Sequence, residues 1–274
     1  MSLFKYISII SLITSFTVAS HSSDDFDALN SGRIGVTHFQ SEDGEDLIGV
    51  ALESYLGGHS LEDDEITGGL FPFKVEVVSR DGDVNLDHAR IALGQIYADL
   101  TERVDLDVHY LEVDYKNKIV EDSEFKSTAF NIVRFVPIVN YRIGDTEVVL
   151  KASADLVVGY GRNKSHDRNT HRRRSHDDYR FSFSGRAGLV LYDAIEYEAY
   201  YSEESNISDG SAYTEMGNQI KLNFRNLDSR NLRQSSVGVG YMVIKNDIGK
   251  GPVFEERGIA FNIKLSWGGS RYSN

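Results

Sequence analysis

Residues 146–160 read TEVVLKASADLVVGY, and apolar and polar side chains alternate along them. One set of alternate positions is apolar throughout and holds Val148, Leu150, Ala152, Ala154, Leu156, Val158 and Tyr160. The other set includes the polar residues Lys151, Ser153 and Asp155. A period of two is that of a β-strand, because successive side chains of a strand point to opposite faces. The stretch therefore predicts a strand with one apolar face and one charged face.

The same alternation returns along most of the chain from about residue 33 onward. It is clear in residues 180–192 and in residues 258–267, and Asp-Gly pairs at residues 43–44 and 81–82 predict hairpin turns. Ten or fourteen strands would also fit the pattern, but it is best divided into twelve. These are residues 33–40, 46–56, 71–80, 88–100, 104–115, 127–142, 146–160, 179–192, 194–202, 213–226, 232–245 and 257–267.

Alternation alone fits both a soluble sandwich and a membrane barrel, since the two differ only in which face meets solvent. Three features favour the barrel. Many strands reach the about 9 to 11 residues that a tilted strand needs to cross a bilayer. Short connections at residues 143–146 and 192–195 alternate with long polar stretches at 161–178 and 245–257. Aromatic residues cluster near the ends of the apolar faces, at Tyr141, Tyr160, Tyr179, Phe181, Tyr201, Phe224 and Trp267. We therefore predict an all-β, antiparallel, up-and-down transmembrane barrel.

The ends of the chain are predicted to lie outside this barrel. In residues 1–20, Lys5 precedes a short apolar run and then small residues, which is typical of a secretory signal peptide. We expect residues 21–32 to be a short periplasmic segment, residues 33–267 to be one barrel domain and residues 268–274 to be a C-terminal extension.

Composition excludes several functions. The formal charge is −13, from 29 Lys and Arg against 42 Asp and Glu, so nucleic acid is not an expected partner. The chain has 0 cysteines, which excludes thiol catalysis and thiolate metal sites. No phosphate-binding or dinucleotide-binding glycine motif is present, and we expect no cofactor.

The strand at residues 258–267, which alternates and ends on Trp267, resembles the C-terminal strand of the Gram-negative outer-membrane β-barrel class. Residues 268–274 follow it, whereas many members of the class end at the aromatic residue. The resemblance implies a porin-like protein placed in the outer membrane after signal-peptide cleavage. It also implies contact with outer-membrane lipid, lipopolysaccharide and the barrel insertion machinery.

The face opposite the lipid is where a barrel would carry its function, and here it holds charges of both signs. Such a lining predicts a narrow channel for small polar or charged solutes. A barrel closed by internal salt bridges, with a structural or surface-recognition role, is the alternative. The lumen-lining candidates are Lys74, Glu76, Arg80, Glu147, Lys151, Asp155, Arg180, Arg186, Glu196, Glu198, Lys221, Arg225 and Lys264.

Residues 161–180, GRNKSHDRNTHRRRSHDDYR, are predicted to form an external basic loop. Its cations suit lipopolysaccharide phosphates, because arginine forks match phosphate oxygens. Three histidines recur every five residues, but loop spacing fixes no ligand geometry, so we predict a solvated loop and no metal site. The basic residues are Arg162, Lys164, Arg168, Arg172, Arg173 and Arg174.

An outer-membrane lipid hydrolase, such as a lipid A deacylase, is the enzymatic alternative. Ser182, Ser184, His88 and His109 would be its candidates, but no hydrolase motif surrounds them. His109 shares a strand face with Asp105 and Asp107, which predicts a lumen histidine bonded to a carboxylate. We therefore name no catalytic residue. Glycine runs at residues 158–161 and 237–241 indicate crowded barrel strands and not a ligand site.

Overall fold

The computed structural model describes residues 32–55, 58–60, 66–80, 82–101, 103–167, 173–207, 210–224, 235–249 and 251–267. The predicted signal peptide, N-terminal segment and C-terminal extension lie outside these described residues, apart from Gly32, which begins the first strand. Within the described residues, no helix is long and apolar enough to cross a membrane.

In the part of the chain that the structure describes, fourteen β-strands make up a single sheet. They are β1 (Gly32–Ser41), β2 (Asp46–Tyr55), β3 (Gly58–Ser60), β4 (Ile66–Leu70), β5 (Pro72–Arg80), β6 (Asp83–Thr101), β7 (Val104–Val120), β8 (Ser123–Arg142), β9 (Val148–Asp167), β10 (Arg173–Leu191), β11 (Ile195–Asn206), β12 (Ala212–Asn223), β13 (Ser236–Asp247) and β14 (Val253–Trp267).

The sheet closes on itself as an antiparallel barrel. From β5 to β14 each strand pairs with the next, and β14 pairs with β1 from Gly32↔Trp267 to Ser41↔Gly258. β4 and β5 pair in turn with the two halves of β6, while β3 pairs with β4 and β2 pairs with β5. β2 with β3, and β4 with β5, are thus two interrupted strands of one hairpin. Counting each interrupted strand once, the barrel has twelve strands, as the sequence predicts.

The first and last strands define the two ends of the barrel. The base is the end where β1 begins and β14 ends, and the far end is the opposite one. The turns at residues 42–45 and 121–122 lie at the far end, as do the ends of β5, β9, β11 and β13 and the starts of β6, β10, β12 and β14. Gly44 and Gly82 have φ of 89° and 94°, as expected for the glycines of hairpin turns.

The hairpins at the far end are longer than the sequence predicts. The polar stretch at 161–178 is mostly strand, because β9 continues to Asp167 and β10 starts at Arg173. Likewise β7 and β8 continue to a two-residue turn at 121–122. The loop predicted at 161–178 is therefore wrong, because most of the stretch is strand. Above the lipid both faces of a strand meet polar surroundings, so alternation of apolar and polar residues no longer marks the strand.

Three neighbouring strands change which alternate positions face inward, and they do so on one hydrogen-bonded row. Gly94, Tyr110 and Val133 are partners on this row. On β7, His109 is buried inside the barrel whereas Leu111, at φ 51°, is 43% exposed outside it. On β8, two residues face one residue of β9 in a bulge between Asn131 and Arg134. A one-residue shift exchanges the two faces, so charged residues on both sides of the row point inward.

The outer surface of the barrel is apolar. Outward side chains from neighbouring strands leave large fractions exposed, for example Ile132 at 67%, Val158 at 57% and Phe261 at 48%. Tyr160 and Tyr179 are register partners near the far end, and Tyr141 and Tyr192 lie near the base. An apolar band between aromatic residues on a closed barrel is the surface of a membrane-spanning β-barrel. The apolar faces look outward, as predicted.

Glycines occur where adjacent strands approach too closely for a side chain. A Cβ at Gly161 would overlap the carbonyl oxygen of Thr128, and one at Gly240 would overlap the carbonyl oxygen of Asn218. These contacts confirm that the glycine runs mark crowded barrel strands.

Candidate functional site

The lumen contains a chamber of about 720 Å³. It begins near the base ends of the strands, at Asn140, Lys151 and Asn223, and extends to Leu47 and Met242 toward the far end. Inward side chains from nearly every strand line it, and they carry charges of both signs. Its size is within the range of pockets that hold small molecules.

One wall of the lumen carries a connected network of buried charges. The guanidinium of Arg134 donates to Glu112 and to Asp155, each at 2.9 Å. The amide of Asn131 donates to the same Glu112 oxygen at 2.8 Å. His88 lies 2.7 Å from Asp114 through Nε2. Because the face inversion brings Glu112 and Arg134 inward on neighbouring strands, these groups can meet without leaving the wall.

Arg180 joins this network to β11. Its Nη1 donates to Glu204 Oε1 and to Ser127 Oγ at 2.7 Å, and its Nη2 donates to Asp114 Oδ2 at 2.7 Å. Lys116 also binds Glu204. Two carboxylates therefore share two cations in a region that is nearly inaccessible to solvent, and each charge has a hydrogen-bonded partner.

An apolar cluster fills the lumen beyond the chamber, toward the far end. Phe125 and Tyr213 stack with ring centroids 6.3 Å apart, and Phe39 and Val120 have essentially no exposed surface. We call this cluster the apolar seal, and it consists of Phe39, Val120, Phe125, Tyr213, Met242, Ile244 and Ala260. Its members come from β1, β7, β8, β12, β13 and β14, so they close the lumen from several sides.

Polar contacts across the lumen hold the far end closed around the seal. Arg80 on β5 donates to Glu256 on β14 at 2.5 Å and to the carbonyl of Ile119 on β7 at 2.9 Å. The amide of Asn246 on β13 donates to Ser123 on β8 at 2.8 Å. Cα atoms of β13 and β14 come within 8 Å of β7, although these strands are not neighbours in the sheet.

The structure brings most of the predicted lumen residues together. Arg180 is buried in the network, and Arg80 lies in the far-end contacts. Glu147 does not line the lumen, because it lies exposed in the base turn before β9 begins at Val148. Arg225 lies outside the described residues. The remaining candidates line the chamber, and they are Lys74, Glu76, Lys151, Asp155, Arg186, Glu196, Glu198, Lys221 and Lys264.

The predicted basic loop is largely part of the β9–β10 hairpin. Arg162 and Lys164 lie in β9, and Arg173 and Arg174 lie in β10. Arg168 and Arg172 lie outside the described residues. Arg162 donates to Asp177 at 2.7 and 3.0 Å, and these hydrogen bonds lower the pKa of the Asp177 carboxyl.

No pair of nucleophile and base forms among the candidates for hydrolysis. His109 Nε2 lies 3.2 Å from Asp107, as predicted for a lumen histidine, and His88 bonds Asp114. Ser182 and Ser184 line the chamber but have no hydrogen bond to either histidine in the described part of the chain. The described residues contain no cluster of three or more potential metal ligands.

Several charged lumen residues are not among those predicted from the sequence. Glu53, Arg90, Lys116, Lys118 and Glu204 all face inward and have ionic partners. If side chains are assumed to alternate without interruption from one end of a strand, many such residues are placed on the wrong face beyond a bulge. The signal that could have found them is charge at alternate positions of β7, where Asp114, Lys116 and Lys118 follow one another.

No protein family and no curated protein sequence matches this chain. Solved structures of low identity are similar. The NanC porin is 7% identical, with 86% of this chain and 98% of that chain covered and a TM-score of 0.45. An outer membrane channel from Pseudomonas putida F1 is 10% identical, with 90% and 98% covered and a TM-score of 0.44. The beta domain of the Bordetella autotransporter BrkA is 11% identical, with 88% and 100% covered and a TM-score of 0.43.

The class of protein follows from the chain's own geometry. A closed antiparallel sheet, an apolar exterior and a charged interior together define a transmembrane β-barrel of the outer-membrane type.

Proposed function

We propose that this chain is a narrow channel in the outer membrane of a Gram-negative bacterium, and that it passes small polar or charged solutes. The observation that carries the proposal is the charged chamber inside an apolar barrel wall. A barrel that served only as a membrane anchor would gain nothing from a cavity of this size, because interiors that are not used are normally filled by side chains.

The apolar seal corresponds to a closed state of the proposed channel. Phe39, Phe125 and Tyr213 belong to one cluster of buried apolar side chains in the lumen. Apolar constrictions can gate a pore by excluding water until they separate. We therefore propose that passage requires movement of the seal, and that the base end of the chamber is the side from which solutes reach the charged residues. If the base faces the periplasm, the seal lies on the external side.

A barrel that stays closed is the second candidate. The contacts of Arg80 with Glu256 and of Asn246 with Ser123 favour it, because they join strands that are not neighbours in the sheet. In that case the charged network would serve only to stabilise the barrel.

Three further expectations belong to the same proposal. The exposed Arg162 and Lys164 would contact lipopolysaccharide phosphates at the external surface. The C-terminal strand β14 would be the segment that the barrel insertion machinery binds. A signal peptide at residues 1–20 would direct the chain to that machinery.

Two measurements on the refolded protein test the channel. In planar bilayers at high salt we expect discrete openings separated by long closed periods, and in liposomes we expect uptake of small amino acids but not of large oligosaccharides. Liposomes that contain heat-denatured protein are the control. If the folded barrel gives neither openings nor solute uptake, the channel is wrong and the closed barrel stands.

A further inference from the structure

The part of the chamber near the base contains a group of four cations on four strands. Lys264 lies on β14, Arg33 on β1, Lys221 on β12 and Arg186 on β10, and all four line the chamber. Lys264 is the register partner of Gly35, two residues from Arg33, so these two cations lie on adjacent strands of the inner face. Glu53 on β2 is the register partner of Arg33.

The carboxylates beside this group are already engaged. Glu53 binds Arg33 and also lies 3.6 Å from Arg90. Glu196 and Glu198 lie 3.3 and 2.7 Å from the Lys221 ammonium. Arg186 approaches Glu198 at 4.0 Å. Within the described residues, no carboxylate lies within 4.0 Å of the Lys264 ammonium.

The backbone beside Lys264 leaves room for a ligand. Its register partners are Gly35 on β1 and Ser236 on β13, and the partner of Lys221 on β13 is Gly238. A Cβ added at Gly35 would meet no atom within 4 Å, so open space lies directly beside Lys264 on the inner face. At Gly238, by contrast, the Lys221 side chain packs against the glycine, with its Cγ 3.1 Å from the position of an added Cβ.

An uncompensated ammonium among like charges is unfavourable, because charges of one sign repel each other. An anion that binds there would relieve the repulsion and accept charge-assisted hydrogen bonds. We propose that Lys264, with Arg33, Arg186 and Lys221, forms a binding site for a small oxyanion, a carboxylate or phosphate group carried by a solute. Such a site would make small anionic solutes the substrate class of the proposed channel. Its role in transport rests on that proposed function.

Calorimetric titration of the detergent-solubilised full barrel with succinate, and separately with inorganic phosphate, tests the site at low ionic strength. We expect Lys264→Gln to weaken binding by about tenfold to a hundredfold, since one charge-assisted contact is lost. Lys264→Arg should retain most of the affinity. Lys126→Gln is the matched control, because it removes one positive charge from the far-end hairpin of β7 and β8, outside the chamber. It should change the affinity by less than about threefold, because screening weakens distant charges.

The outcomes separate the site from the channel. Binding by the wild type that Lys264→Gln abolishes and Lys126→Gln leaves intact supports the site, whether or not the protein conducts. Absence of binding, or equal loss in both glutamine variants, overturns it. If the barrel conducts but succinate and phosphate do not bind, the channel stands and the anion site is wrong. Heat-modifiable migration on gels shows that each variant has folded.

Discussion

Arg180 on β10 and Asp114 on β7 form a buried ion pair with Nη2 and Oδ2 2.7 Å apart, although two strands separate them in the sheet. The side chains are 1% and 0% exposed. An arginine can make this contact because its long side chain reaches along the inner wall. The pair therefore fixes the four consecutive strands β7 to β10 relative to one another.

Removing Arg180 should destabilise the barrel strongly. Arg180→Met keeps much of the side-chain volume but leaves the Asp114 and Glu204 carboxylates short of a cation. We predict a loss of about 3–5 kcal/mol in the free energy of unfolding, as for other buried pairs that lose one partner. Urea unfolding in lipid vesicles, followed by fluorescence of the single tryptophan, measures it.

Arg186→Met is the control on the same strand. The Arg186 side chain is 63% exposed and lies 4.0 Å from its nearest carboxylate, so we expect a change below about 1 kcal/mol. Equal effects of the two variants would show that the buried network does not stabilise the barrel.

Opening the apolar seal should increase conductance. Phe39→Ala removes a ring that is 1% exposed, and large-to-small changes at such sites cost about 3–5 kcal/mol of packing. If the conducting state lacks this packing, the change raises the open probability by more than about tenfold. Single-channel recording in planar bilayers measures the open probability directly.

The matched control is Phe261→Ala, because Phe261 is 48% exposed on the outer surface. We expect that variant to leave the open probability within about threefold of the wild type, because it does not touch the lumen. An increase in Phe261→Ala as large as that in Phe39→Ala would mean that loss of stability, and not loss of the seal, controls opening.

Two glycines on paired strands should differ in their tolerance of alanine. A Cβ at Gly258 would overlap the Gln40 carbonyl of β1, whereas a Cβ at Gly35 would meet no atom within 4 Å. We predict that Gly258→Ala costs about 1–3 kcal/mol, as overpacking does. Gly35→Ala should change the stability by less than about 0.5 kcal/mol. The same urea titrations measure both, and a tolerated Gly258→Ala would contradict the close contact of β14 with β1.

Much of the barrel could be predicted from the sequence because lipid imposes one requirement on every strand. Each lipid-facing position must be apolar, so residues such as Leu156 and Ile263 mark the outer face by local pattern alone. The number of strands follows from counting these patterns. The far-end hairpins could not be predicted in this way, since Lys164 and its neighbours lie where lipid no longer imposes alternation.

The internal contacts could not be predicted for a different reason. Arg180 and Asp114 are 66 residues apart, and their meeting depends on the register of three intervening pairings. The inversion of faces at Leu111 adds a further unknown, because no short motif in the sequence marks it. The sequence therefore predicts which residue types line the lumen better than it predicts which of them touch.

The direction in which the two strand faces look is tested most directly by spin labels at adjacent positions of β14. The chain has 0 cysteines, so Asn262→Cys and Ile263→Cys each give a single labelling site in otherwise natural sequence. In lipid vesicles, the account predicts that the label at 263 is relaxed by dissolved oxygen, which concentrates in the bilayer. It predicts that the label at 262 is relaxed instead by a water-soluble nickel chelate. Nickel access at 263 together with oxygen access at 262 would contradict a membrane-spanning barrel with a charged interior.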